Sequence, residues 1–179
     1  MARRPSAFKL LALSALITLT PPAWSQDRSP LDGTRLIGTA EFSWFGLRLY
    51  TARLWSAGAV QDWQQPFALE LIYHRALSRT TLVQASLDEI QRLSDRPLAP
   101  DTKERWTKAM REAFVDVHPG TRITGLYLPG RGCRFYVDGQ LSREIADPAF
   151  ARAFFAIWLD PRTRDPQLRQ RLLGLAGKP

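Results

Sequence analysis

Few side chains in this 179-residue chain are suited to acid–base, nucleophilic or metal chemistry: two histidines, His74 and His118, and one cysteine, Cys133. A metal centre of the usual kinds needs histidines and cysteines at fixed spacing, or several carboxylates, and neither pattern occurs. No metal and no cofactor is therefore expected. There is also no Gly-x-Ser-x-Gly elbow, phosphate loop or dinucleotide fingerprint, and Gly130-Arg131-Gly132 is too short to serve as one. Strand alternation puts His74 on a water-facing side, and His118 precedes Pro119-Gly120 in a turn; both read as solvated residues. Cys133 alternates with Phe135 and Val137, which marks a buried small hydrophobe rather than a reactive thiol. Arg152, Arg162, Arg164, Arg169 and Arg171 read as a solvated helix surface because the aromatics are spent on the core, so no nucleic-acid partner is expected. Two tyrosines, Tyr73 and Tyr127, fall on the core-facing side of their strands, where the hydroxyls either enter an apolar pocket or reach its rim. The run Phe154-Phe155-Ala156-Ile157-Trp158 either lines a ligand cleft, with Phe154 and Trp158 its main candidates, or fills the core.

The N-terminus reads as a targeting segment. Arg3, Arg4 and Lys9 are followed by an apolar run from Leu10 to Leu19, broken by Pro21-Pro22. Small residues at Ala23 and Ser25 then predict cleavage between Ser25 and Gln26. The run is shorter than the roughly 20 residues needed to span a bilayer, so no membrane span is predicted. The expected organisation is a signal peptide at 1–25, a polar leader at 26–34 and one domain at 35–175, exported to the periplasm by a route the sequence leaves open. Loss of Arg3, Arg4 and Lys9 lowers the formal charge from +8 to +5. The 154 residues left after cleavage can bury roughly 70% of their unfolded surface. With one cysteine, no internal disulfide is available, and stability must come from packing.

The elements that position these side chains follow from periodicity and punctuation. Extended segments are predicted at 36–44 and 47–55 around a Phe45-Gly46 turn, with Leu47 and Leu49 on one face and Arg48 and Tyr50 on the other. A third strand covers 68–75. Helices follow from a Ser78 cap to about Leu93, and from a capping-box-like Asp101…Glu104 start. Three more strands are predicted: one from Thr121 to Leu128, one from Cys133 to Val137, and one from Gln140 to Ile145. Asp138-Gly139 is the strongest hairpin signal between the last two. Asp147-Pro148 and Asp165-Pro166 each open a terminal helix. Three strands, two helices, three strands and two helices predict an α+β domain, with an antiparallel sheet of about six strands and four helices on one face.

Several of these segments resemble a known group. They are Gly38-x5-Trp44-Phe45-Gly46-Leu47-Arg48-Leu49-Tyr50, Leu69-Glu70-Leu71-Ile72-Tyr73, Val117-His118-Pro119-Gly120-Thr121-Arg122, Arg134-Phe135-Tyr136-Val137-Asp138-Gly139, the tail from Ile145 to Leu159, and Leu172-Leu173-Gly174. Together they resemble the bacterial, exported branch of the chalcone isomerase-like family over roughly residues 35–175. The resemblance implies an open-faced β-sandwich. In the family's plant enzymes it also implies a sheet–helix cleft where an arginine, a lysine and a water held by threonine and tyrosine close a flavanone ring. Here Trp44-Phe45-Gly46 offers no matching threonine, and residues 74–115 offer no lysine–tyrosine–asparagine set. Arg35, near the place of the enzymes' arginine but out of register, is the one catalytic candidate. Other members hold fatty acids in the same cleft. The expectation is a periplasmic domain without flavonoid isomerase activity that binds an apolar or fatty-acid-like small molecule. The alternatives are an intramolecular lyase (isomerase) in which Arg35 polarises a carbonyl, and a cell-envelope interaction protein. Oligomeric state is not legible.

Overall fold

The computed structural model of the chain describes residues 31–60 and 63–176; the signal, its Ser25–Gln26 junction and leader residues 26–30 lie outside them. Six strands form one antiparallel sheet in chain order: β1 (Arg35–Trp44), β2 (Leu47–Ser56), β3 (Phe67–Tyr73), β4 (Arg122–Leu128), β5 (Gly132–Val137) and β6 (Gln140–Ile145). Between β3 and β4 the chain inserts α1 (Arg79–Leu93) and α2 (Pro100–Ala113), and after β6 it adds α3 (Pro148–Leu159) and α4 (Pro166–Leu172). No helix among the described residues is long and apolar enough to cross a membrane.

Two hairpins close through two-residue turns whose central residues both have positive φ: Phe45 (48°) with Gly46 (75°), and Asp138 (47°) with Gly139 (84°). Such turns match the right-handed strand twist and favour Asn, Asp or Gly. Phe45 is the exception, and a bulky residue in the left-handed region costs about 1–2 kcal/mol.

The helices start where the sequence marks them, with one correction. The side chains of Ser78, Asp147 and Asp165 accept from the backbone N–H of Thr81, Phe150 and Leu168. The second helix does not use a capping box at Asp101. Ala99 is its N-cap, without a side-chain bond, and Pro100 takes the first helical position, where a missing N–H costs nothing. Asp101 then sits in the first turn, favourably placed at the positive end of the helix dipole.

The sheet's inner face carries the core. Cross-strand neighbours Ala52–Leu71–Ile123–Val137 and Leu54–Leu69–Gly125–Phe135 run in rows beneath α1 and α3. Gly125 leaves room for the Phe155 ring, whose Cζ would lie 2.9 Å from a side-chain carbon placed there. Gly38 is required because α4 packs its last backbone carbonyls directly onto β1.

The outer face differs from a simple solvated surface. Trp55, Ala68 and Leu126 are buried there, with Leu31, Leu128 and Tyr136 packed against them. Glu70, paired in register with Arg53 and Thr124, is only 6% exposed. Alternation alone marked Glu70 as a water-facing position. Burial there pushes its carboxyl above the usual range, opposed by the nearby Arg122 and Arg53 guanidinium groups.

Candidate functional site

Between the inner face and the helices lies a cavity of about 450 Å³. Its floor is Leu69 and Leu71 of β3, with Ile123 and Gly125 of β4 and Phe135 of β5. Its roof comes from Leu82 and Ala85 of α1 and from Phe154, Phe155, Ile157 and Trp158 of α3. One end is lined by Phe42, Trp44, Leu49, Tyr50 and Tyr73, where β1, β2 and β3 converge.

That end depends on a β-bulge. Phe42 pairs with Tyr50 but Ser43 pairs with Arg48, so Leu49 is an extra residue in β2. An extra residue re-phases the alternation of the strand that carries it. Tyr50 therefore shares the inner face with Ala52 and Leu54 and lines the cavity, whereas strict alternation had put it outside with Arg48. Leu49 lines the cavity as well, and Arg48 stays outside in an ion pair with Glu41 at 3.3 Å.

Two phenolic hydroxyls line the end of the chamber formed by β1, β2 and β3. The Trp158 indole N–H donates to the Tyr50 hydroxyl at 3.0 Å. The Tyr73 ring stands edge-on to Tyr50 with centroids 5.9 Å apart, and no described group hydrogen-bonds its hydroxyl. Burial pushes both hydroxyls well above the usual tyrosine range, with the Trp158 bond partly opposing it at Tyr50 and Tyr50 itself adding to it at Tyr73. Both are neutral at physiological pH, and both retain an O–H proton to donate.

The rim beside α4 is charged, but its groups are already engaged. Glu89 accepts from Arg92 at 2.8 Å and from Arg164 at 2.5 Å. The Asp165 carboxylate caps α4, Thr163 Oγ1 donates to the Ile157 carbonyl at 2.7 Å, and Ser86 Oγ donates to the Leu82 carbonyl at 2.8 Å. The Tyr73 hydroxyl, by contrast, has no protein partner among the described residues.

Of the residues singled out by sequence, Tyr73, Phe154 and Trp158 line this chamber. Tyr127 is on the inner face but outside the lining, stacked on Phe67 at 4.8 Å and edge-on to Trp63 and Phe155. Arg35 is exposed at the first position of β1, opposite Ser56, and does not line the cavity. His74 Nε2 lies 2.8 Å from Thr51 Oγ1 on the outer side, and His118 is exposed. The Cys133 thiol is buried and pushed up to about 12 by burial and the nearby Asp147 carboxylate, so it is not a nucleophile at neutral pH. Among the described residues, the cavity thus joins apolar walls to hydroxyl donors and a rim of carboxylates already bonded to Gln84, Arg92, Arg164 and the α4 backbone. Sequence reasoning missed Phe42, Leu49 and Tyr50; the aromatic spacing 42, 44, 50 was its one available signal.

A family model described as chalcone isomerase-like matches residues 37–174. An uncharacterized protein of Haemophilus influenzae is 30% identical over 139 residues, spanning 77% of this chain and 67% of that protein. Among solved structures, a fatty-acid binding protein of Arabidopsis thaliana shares the fold with a TM-score of 0.62, covering 82% of this chain and 89% of that chain at 12% identity.

Proposed function

The chain belongs to the chalcone isomerase-like family, and from that premise we propose that it is a non-catalytic, periplasmic binder of a single acyl chain or similar amphipathic molecule. The observation that carries this reading is the 450 Å³ cavity, walled mainly by aliphatic and aromatic side chains, with a charged rim beside α4 and the unpartnered Tyr73 hydroxyl in its wall. Its volume falls within the roughly 300–1,000 Å³ of small-molecule sites, and its walls follow their pattern of apolar surface with a few placed polar groups. The polar end of the ligand accepts from Tyr73, and from Tyr50 while Tyr50 keeps its bond to Trp158. The binding activity named for the Arabidopsis relative supports the same assignment. An isomerase reading would rest on Arg35, which lies off the cavity. Export is supported by the basic start, apolar run and small residues of positions 1–25.

The test is a chain-length series of saturated fatty acids added to protein stripped of host lipid, read by native mass spectrometry and by displacement of a fluorescent acyl probe. Each buried methylene contributes about 0.8 kcal/mol, so every two carbons tighten binding roughly fifteenfold until the chamber is full. A one-to-one complex with a plateau at one chain length is expected. No binding at any length, or affinity that keeps rising without a plateau, would rule out an enclosed acyl site.

A further inference from the structure

The β1–β2 hairpin tip presents Trp44, Phe45 and Leu47 to solvent, at 47%, 89% and 49% exposure. Turn geometry does not ask for this. At the equivalent position of the β5–β6 hairpin the chain uses Asp138, a residue that tolerates positive φ, whereas Phe45 holds a strained φ of 48° and displays its ring almost entirely.

The exposed rings also continue inward. Phe45 stands edge-on to Trp44 at 5.1 Å, Trp44 stacks on Phe42 at 6.5 Å, and Phe42 stacks on Tyr50 at 5.1 Å. Phe42, Trp44 and Tyr50 all line the cavity, so the apolar tip and the chamber form one surface. Beside the tip, Arg75 and Arg48, the latter in its exposed ion pair with Glu41, share a shallow depression with His74. Aromatic and aliphatic side chains flanked by arginines are the composition of an interfacial anchor on anionic lipid.

We propose that the β1–β2 tip inserts into an anionic phospholipid surface and that ligand passes between bilayer and cavity along the Trp44–Phe42 wall. Only the second clause rests on the acyl-binding reading; docking stands or falls by itself.

The experiment uses the protein as the cell processes it, its N-terminus read by mass spectrometry, in co-sedimentation with vesicles of phosphatidylglycerol and phosphatidylethanolamine or of phosphatidylcholine alone. A Phe45→Asn/Leu47→Thr variant removes two of the three exposed apolar side chains of the tip and leaves Trp44 in the cavity wall. It gives the turn a residue suited to it, so its melting temperature is expected to hold or rise. The parent is expected to bind the anionic vesicles more tightly than the neutral ones, and more weakly as salt rises. The double variant is expected to lose roughly tenfold or more in vesicle affinity. Undiminished vesicle binding by the variant would overturn the proposal. So would a parent that ignores vesicles but sediments as a dimer that the variant dissociates, since the tip would then be a self-association patch. Native mass spectrometry of the same variant with a fatty acid, without vesicles, separates the two claims. Retained loading with lost docking supports both. Tip-dependent docking without loading in either protein keeps the anchor and removes the acyl site.

Discussion

Removing one oxygen atom from each of two neighbouring tyrosines should give two different results. Tyr50→Phe takes away the acceptor of the Trp158 indole N–H, a 3.0 Å bond between the half-buried Tyr50 and the buried Trp158. A stranded buried donor costs about 1–3 kcal/mol. In a domain of this size each kcal/mol moves the melting temperature by about 2–4 °C, so a mid-range loss of about 2 kcal/mol lowers it by roughly 4–8 °C. Tyr73→Phe breaks no protein hydrogen bond and deletes a hydroxyl held in an apolar wall, so the ligand-free melting temperature is expected to stay within about 2 °C of the parent or to rise. The order reverses for ligand. If Tyr73 donates to the polar end of an acyl chain, its removal weakens binding by about 1.4 kcal/mol, roughly tenfold. Thermal melts of ligand-free protein and displacement titrations on the same two variants separate the cases. A Tyr73→Phe melting loss as large as that of Tyr50→Phe would mean that the Tyr73 hydroxyl is bonded within the protein. The polar contact assigned to it would then be withdrawn.

The two Asp-Pro helix starts should also respond unequally. Asp165→Ala removes a single cap bond, at 2.9 Å to Leu168 N, and should cost about 1 kcal/mol. Asp147 accepts from Phe150 N at 2.9 Å and from the Trp106 indole N–H at 3.0 Å, so Asp147→Ala loses a cap and strands a buried donor, about 2–4 kcal/mol in denaturant titrations. Equal losses would mean that the Trp106 bond contributes nothing. Stability should also fall in alkali. The Cys133 thiol is raised from 9.0 to about 12, and both cavity tyrosines are raised above their usual value. A raised group keeps its proton in the folded state after the unfolded chain has lost it. Its stabilisation is therefore complete below pH 9 and is lost as pH climbs toward 12, by about 1.4 kcal/mol per pH unit for each such group. Cys133→Ala should flatten the slope of unfolding free energy by that amount between pH 9 and about 12, and an unchanged slope would exclude the thiol.

The fold was legible because its punctuation is local. Asp138-Gly139, Ser78, Asp147-Pro148 and Asp165-Pro166 each act within a few residues, and each does so in the structure through a turn or a side-chain cap. The site was less legible because it depends on register and on packing between distant segments. Nothing in Leu47-Arg48-Leu49-Tyr50 announces that Leu49 is the extra residue, and a one-residue shift moves Tyr50 from one face to the other. The choice between cleft and core for residues 154–158 was likewise undecidable from the run itself. Phe154 and Phe155 do both, packing edge-on to Phe135 and Phe67 while closing the chamber. Asp101 misled because a box pattern beginning two residues after Ala99 competes with Pro100, and proline takes the earlier position.

Several departures from local rule lie elsewhere, in the register breaks at Leu36/Gly38 and Phe135/Tyr136 and the φ of 60° at Trp63, but three meet at the end of the sheet nearest the β1–β2 turn. Phe45 occupies a turn position better suited to Asn or Gly, Leu49 breaks the ladder, and Tyr73 lines the cavity with a hydroxyl that has no protein partner among the described residues. At the other end, Gly132 takes a positive φ against β6, and both indole and backbone donors find Asp147. Local inconsistency is tolerated where something other than stability selects the residue. On the acyl-binding reading proposed above, three departures sharing one aromatic wall mark the end where a ligand would enter and leave, while the Asp147 end holds α2, α3 and the sheet together. Repair of the turn should therefore change exchange with a lipid surface before it changes the fold, whereas damage at Asp147 should do the reverse.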